Sequence, residues 1–349
     1  MDQFLKETNN AFGKVSEILR EYWALIVVIV ILLVVGAFFT YTKNNSADVQ
    51  VSLKWVHQAQ FAGMYTAKDK GYYFRKGLNV TFKEFDFETL PSDDLISGEA
   101  DFALMSAEEF LLHISSGEEL EAIAAIYQVS PYALISMSDS EIDGPADFVG
   151  KVLGSKGGKI EEELSYLLLL QGFGIPREDV EIKTLGFGQR EIDDLMEGSA
   201  DVVDIYRTDQ LYFFNKEEID YSIILPERYR ININNDLIVA RKSFIEENPK
   251  VVRKFVAETV KGWEYALENI DEAVDITMEY VTSESYLDRD YEKFILVSSA
   301  PLIQPNTNSR IGLINTHQML KLYEHMQRNE FLDREFMVGD FVTSRFLPN

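Results

Sequence analysis

At 349 residues the chain is long enough for one or two domains with sizeable cores, and 46% hydrophobic residues with 12% aromatics exclude a disordered chain. A formal charge of −25 excludes the basic footprint that nucleic-acid binding requires. The lack of cysteine excludes disulfides, thiolate nucleophiles, cysteine-held metals and a lipidated N-terminal cysteine.

Residues 1–21 carry Lys6, Lys14 and Arg20, with Phe4, Phe12, Val15, Leu19 and Tyr22 at helical spacing. That pattern suits a helix lying on a membrane or an extension of the segment that follows. The run YWALIVVIVILLVVGAFFTY, 22–41, holds no charged side chain. It has about the 20 residues that a bilayer-crossing helix needs, with Tyr22, Trp23 and Tyr41 at its ends as interfacial aromatics. A cleaved signal peptide is the rival, but it needs a shorter apolar core and a small-x-small site, and TKNNSAD offers only Asn45 and Ala47. We therefore expect an uncleaved transmembrane anchor at 22–41, a cytoplasmic tail at 1–21 and a polar linker at 42–49. Three basic residues before the span, against Lys43 and Lys54 after it, place the main domain outside the cytoplasm, a cell-membrane protein with an extracytoplasmic body.

From residue 51 strand and helix patterns alternate, the order of parallel sheets with crossover helices. VSLKWV (51–56) reads as a strand, FAGMYTAKDKGYYFRKG (61–77) as a helix ending near Gly71 with a turn at Gly77, and LNVTFKEF (78–85) as a second strand. Then comes DDLISGEAD (93–101), a short helix stopped by a glycine and followed by the apolar strand FALMS (102–106). One hundred residues later DDLMEGSAD (193–201) repeats it, followed by VVDIY (202–206). The elements before the second copy repeat as well: GKVLGS as strand, KIEEELSYLLLLQGFGI as a helix ended by Gly172 and Gly174, and VEIKTLGF as strand. Two similar α/β lobes follow, with ligand expected beyond the carboxyl ends of their strands. The equivalent strand ends, Ser106 and Tyr206, should face the cleft from opposite sides. Beyond them, NPKVVRKFVAETVKGWEYAL (248–267) predicts a helix with Asn248 as N-cap, Pro249 in the first turn and Val252, Phe255, Val256, Trp263 and Leu267 on its core face.

LKWVHQAQFAGMYTAKDKGYYFRKGLNVTF (53–82) resembles the opening of type II periplasmic solute-binding proteins, in the branch related to thiamine-pyrimidine synthase and the formylaminopyrimidine-binding proteins. The likeness continues through SGEADFALMSAEE, IYQVSPYALI, GKVLGSKGG and GSADVVDIYRTDQ, covering roughly 51–270. It implies a two-lobed Venus-flytrap fold, with 50–127 and 236–349 forming lobe 1 and 133–231 forming lobe 2. The lobe crossings would lie near 128–132 and 232–237. The synthases of this branch use a lysine, a histidine and a cysteine-rich loop. At the matching places this chain has Met105, Glu109 and RININND (230–236), so the resemblance implies a binding protein and not an enzyme.

It also implies a ligand site. Trp55 is either a stacking platform for a flat heterocycle or a core tryptophan. Gln58 and Gln60 stand where the precursor binders have asparagines, and Phe61 where they have a histidine. The amides suit a ring-nitrogen edge, with a solvated loop as the alternative. Tyr206 would be the opposing ring, with Asp209 and Gln210 as polar readers. Glutamine in place of glutamate at 210 lowers the demand for a cationic or amino group. Tyr127 and Gln128 read as hinge or wall. GSKGGK (154–159) is one residue short of a phosphate loop and has Ile160 where Ser or Thr is required. It reads as a strand-to-helix loop that lines the cleft through Ser155. The histidines at 57, 113, 317 and 325 lack metal spacing, so neither metal nor cofactor is expected. The leading reading is a membrane-anchored binding protein that captures a small planar heterocycle, pyrimidine- or thiamine-precursor-like, for the permease of an ABC importer. A sensor signalling to a separate membrane partner is the alternative, and a pyrimidine-biosynthesis enzyme the weaker one.

Overall fold

The computed structural model describes residues 22, 23, 25, 27–33, 46–155, 160–186, 190–282 and 287–348. The chain divides at Ala47/Asp48 into two compact units. Half of the expected anchor at 22–41, with the whole tail and half of the linker at 42–49, lies outside the described residues. Those described within it are helical. Among the described residues no helix is long and apolar enough to cross a membrane.

The larger unit holds two five-stranded sheets of the same plan. In the first, β2 (Leu78–Lys83), β1 (Ala47–Ser52), β3 (Phe102–Met105), β10 (Asn235–Arg241) and β4 (Leu120–Tyr127) lie side by side. In the second the order is β7 (Glu181–Thr184), β6 (Val152–Ser155), β8 (Val202–Tyr206), β5 (Tyr132–Met137) and β9 (Tyr221–Ile224). β1 runs parallel to β3, with Val51 opposite Phe102, and β6 runs parallel to β8, with Leu153 opposite Val202. β5 and β10 are antiparallel to their neighbours because each is the first strand after the chain has crossed from the other sheet. The chain crosses once between Tyr127 and Tyr132 and returns between Ile224 and Asn235.

The repeated phrase folds as helix, glycine stop and strand in both places. Helices Pro91–Ser97 and Glu191–Met196 bury Leu95 and Leu195, and Gly98 and Gly198 take φ of 90° and 71°. A Cβ at that φ costs about 1–2 kcal/mol, which explains glycine at both positions. The terminal aspartates explain themselves by bonding. Asp101 accepts the Gln50 amide at 2.9 Å while its own amide donates to the Gln50 carbonyl. Asp201 accepts the Val152 amide at 2.7 Å and donates to the Val152 carbonyl. Each aspartate thus pins the start of one parallel strand to its neighbour.

The first strand ends earlier than the pattern predicts. Leu53 still donates to Lys83, but from Lys54 the chain bends away from the sheet into a short turn of helix, Ala59–Phe61. The helix Ala62–Asp69 then crosses Pro249–Glu268 closely: a Cβ on Gly63 would meet the Trp263 ring at 2.2 Å. Asn248 stands at the N-cap of Pro249–Glu268 without a side-chain cap bond, so Pro249 supplies the start signal.

Helix Ile160–Phe173 is apolar on more than one side, and both are used. Tyr166, Leu169 and Leu170 pack into the core of the second sheet with Phe148, Leu153 and Val202. Leu164 and Leu168 pack with Phe110, Leu111, Met319 and Leu322 on the helices of the first. A helix without a polar face is one buried from two directions. It joins the two sheet layers through an apolar seam.

Candidate functional site

The carboxyl end of β1 delivers residues 53–61, and the start of the antiparallel β10 lies beside them, since Leu237 pairs with Met105 at the end of β3. Across the gap β8 ends at Tyr206 and turns tightly through Asp209. These segments meet at one buried carboxylate. Asp236, 1% exposed, accepts the Gln60 amide at 2.8 Å and the Tyr206 hydroxyl at 3.0 Å, and the Lys54 ammonium lies at 3.4 Å. Its backbone sits at φ 51°, a left-handed conformation that an aspartate tolerates, held by its amide donating to Asn235 Oδ1 at 2.8 Å. Backbone strain of this kind persists where surroundings over-determine it, most often at functional sites.

Around this node lie further polar groups. Gln58, 1% exposed, donates to Gln60 Oε1 at 3.0 Å. Asp209 accepts the Tyr291 hydroxyl. Burial pushes the Asp209 carboxyl up to about 6, with hydrogen bonds from Tyr291 and Gln58 pulling the other way. Glu292, fully buried on helix Arg289–Ile303, accepts the Ala59 amide at 2.5 Å. Burial, reinforced by the charges of Asp209 and Asp288 and opposed by the Ala59 amide, pushes it up to about 8. The Tyr206 hydroxyl is raised well above its usual range by burial and by Asp236, so it stays a donor. Its ring stands edge-on to Tyr132 at 4.9 Å and to Tyr127 at 6.3 Å, with the Lys54 ammonium 5.5 Å from its centroid. Among the described residues three buried polar atoms here have no hydrogen-bond partner: Gln58 Oε1, Asn235 Nδ2 and Glu292 Oε1.

The residues singled out from sequence are thus partly gathered. Gln58, Gln60, Tyr206 and Asp209 converge on the node, and both glutamines are buried rather than solvated. Trp55 is half-buried and meets Phe87 edge-on at 5.3 Å and Phe85 at 6.5 Å. Phe87 is 53% exposed with φ 64°, an unusual backbone for a bulky residue. Four other residues make contacts within their own lobe. Phe61 packs edge-on to Tyr65 in the core. The Ser106 hydroxyl, fully buried, accepts the Glu109 amide as N-cap of helix Ala107–Ser116. Gln210 accepts the Tyr206 amide at 2.7 Å, bracing the turn. Ser155 is buried at the end of β6, where its carbonyl accepts the Leu185 amide. The following residues, 156–159, lie outside the described ones.

Sequence reasoning missed Lys54, Asn235, Asp236, Tyr291 and Glu292. A lone lysine inside an apolar strand pattern marked Lys54, and an Asn-Asn-Asp run opening a strand marked a special backbone at Asp236. Glu292 carried no signal, being one of 58 acidic residues. Among the described residues no group of histidines and carboxylates could hold a metal ion.

Comparison with known proteins identifies relatives of most of the chain. A riboflavin-binding protein of Chloroflexus aurantiacus is 26% identical over 311 residues, 86% of either chain. A formylaminopyrimidine-binding protein of Halalkalibacterium halodurans is 26% identical over 262 residues, 72% of this chain and 78% of that one. The periplasmic aliphatic sulphonate binding protein of Escherichia coli shares the fold, with a TM-score of 0.67 over 85% of this chain and 92% of its own, at 13% identity. These relatives and the structural neighbour are binding proteins, the class expected from the sequence in preference to an enzyme. The family model described as NMT1/THI5 like matches residues 58–273, and the chain belongs to that family.

Proposed function

We propose that the protein is an extracytoplasmic solute-binding protein that closes two lobes over a small planar heterocycle and presents it to the permease of an ABC importer. Lobe 1 comprises 50–127 with 236–349 and lobe 2 comprises 133–231. The apolar run 22–41 tethers it to the membrane. One observation supports the reading most: Tyr206 from the second sheet reaches Asp236 at the start of β10 in the first, beside buried polar atoms that have no hydrogen-bond partner among the described residues. Buried polar atoms are nearly always bonded, so an acceptor (Gln58 Oε1) and a donor (Asn235 Nδ2) without a partner among the described residues suit the donor–acceptor edge of a ring. Both curated binders named above take ligands that contain a pyrimidine ring, which supports a pyrimidine-type edge. Lys54 is already paired with the buried Asp236, which leaves it little charge to offer and disfavours sulfonates and phosphates, whatever the fold neighbours bind.

Binding drives closure because only the closed form touches the ligand from both sides. The test is a thermal-shift screen of the full-length chain in detergent with riboflavin, thiamine, aminopyrimidine precursors and alkyl sulfonates. A ligand bound only by the folded state raises Tm by mass action. The reading expects a rise with a flavin or pyrimidine, lost in Trp55→Ala and in Tyr206→Phe. A rise with sulfonates alone overturns the ligand class.

A further inference from the structure

Within the cleft the charges do not balance. Lys54 is committed to Asp236 and Asn235. Asp209 has the Tyr291 hydroxyl as donor. Glu292 has one amide donor, from Ala59, on one oxygen, and no hydrogen-bond partner among the described residues on the other. The groups around it have been placed. The turn Ala59–Phe61 brings Gln58 and Gln60, both amides. Helix Ala62–Asp69 brings Tyr65, whose phenol is raised by burial and then by Glu292. The second sheet brings Asp209. On its own helix Asp288 engages Tyr212 and Lys216, while Arg289 and Lys293 turn outward to Asp271 and Asp275. β4 brings Tyr127, bonded to Ser299. Among these, no cation is paired with Glu292, and the charges that act on its titration, Asp209 and Asp288, are negative.

Resting on the binding-protein reading, we infer that Glu292 is the specificity-determining acid of the cleft, that it is held protonated, and that its free oxygen donates a hydrogen bond to a lone-pair acceptor, a ring nitrogen or carbonyl, on an uncharged ligand. A buried, unpaired carboxylate is far costlier than a buried carboxylic acid, and a neutral acid in an apolar setting is an established kind of hydrogen-bond donor. The alkaline upward displacement of its titration agrees with this arrangement. The inference also relocates the acid of the site. Gln210 bonds within its own turn, and the acid comes from helix Arg289–Ile303 instead.

Two measurements test it. The first needs no ligand: the infrared difference spectrum between the wild-type protein and Glu292→Gln at pH 7 should contain the carbonyl stretch of a protonated carboxyl. A carboxylate band in its place overturns the inference while leaving the binding reading intact. The second is the pH profile of riboflavin and of 4-amino-5-hydroxymethyl-2-methylpyrimidine binding by fluorescence between pH 6 and 10, ranges set by the position of the titration near 8. For whichever probe binds, affinity should be level below pH 8 and fall about tenfold per pH unit above it, as one proton demands. Glu292→Gln, which keeps an N–H donor, should retain binding and abolish the fall, and Glu292→Leu should lose affinity at every pH. Binding that is indifferent to pH in the wild type overturns the inference. Failure of both probes to bind at pH 7, with the carboxyl band present, counts against the binding reading and leaves the protonation of Glu292 established.

Discussion

Asp101 and Asp201 close the two copies of the nine-residue phrase, and both strap the start of a strand to its parallel neighbour with the same pair of bonds. At the other ends of those strands the copies part. After β3 comes Ser106, sealed from solvent and spent on capping a helix. β8 ends on Tyr206, which reaches from its sheet to bond Asp236 on the other. Strand starts are held by geometry that any parallel sheet of this kind needs, so duplication is conserved in the chain's own internal repeat. Strand ends face the cleft, where the two halves must differ because a small ligand has two different sides. The layers behind differ too: the first sheet is backed by helices crossing at Gly63 and Trp263, the second by a helix buried on two sides.

The largest test of that comparison is Leu164→Ala. Leu164 belongs to the second half's helix but packs in the core of the first. Its truncation should cost about 2–5 kcal/mol in urea unfolding. A loss below about 1 kcal/mol would mean the seam between the halves is not load-sharing. Next comes pH. Asp209 and Glu292 titrate above their ordinary ranges when folded, so the unfolded chain releases their protons first. Stability of the ligand-free protein should therefore be fullest at acid pH with respect to these groups, decline from about pH 4 to about 8, and then level, by a few kcal/mol in total. In Glu292→Gln the decline should end near pH 6, where Asp209 titrates.

The aspartate straps come third. Asp101→Asn and Asp201→Asn each weaken a charge-assisted bond to an amide, worth about 1.5–3 kcal/mol, and equal losses in denaturant would mark the two straps as the same device. The smallest stability effect, and the sharpest contrast, lies at the strand ends. Ser106→Ala should cost about 1 kcal/mol as a lost N-cap and leave ligand affinity unchanged. Tyr206→Phe removes a hydroxyl donor from the buried Asp236 and, unlike Ser106→Ala, should weaken ligand binding. Equal effects of the two substitutions on affinity, measured by titration, would erase the division of labour between the halves.

Much of this was legible in the chain itself. Periodicity and glycine stops placed the strands and helices, because backbone conformation answers to neighbours a few residues away. The repeat at a spacing of one hundred residues announced two like sheets, and the resemblance of 53–82 pointed to the family. Tyr206 could be singled out because it stands at a strand end, and Asp209, Gln58 and Gln60 because the resemblance pointed to their positions. Ser106, Phe61 and Gln210 stand at comparable places, yet their side chains turned to the backbone or the core, and nothing local distinguishes the two outcomes.

Only the tertiary structure decided the rest. It brought Asp236, on the returning strand, under Gln60 and Tyr206, and it set Glu292 against Ala59 across more than two hundred residues of sequence. Charge in a sequence is a sum, and 58 acidic residues sum to a soluble surface. Whether one of them holds a proton depends on what surrounds it in space, and burial without a paired cation is a property of the fold alone.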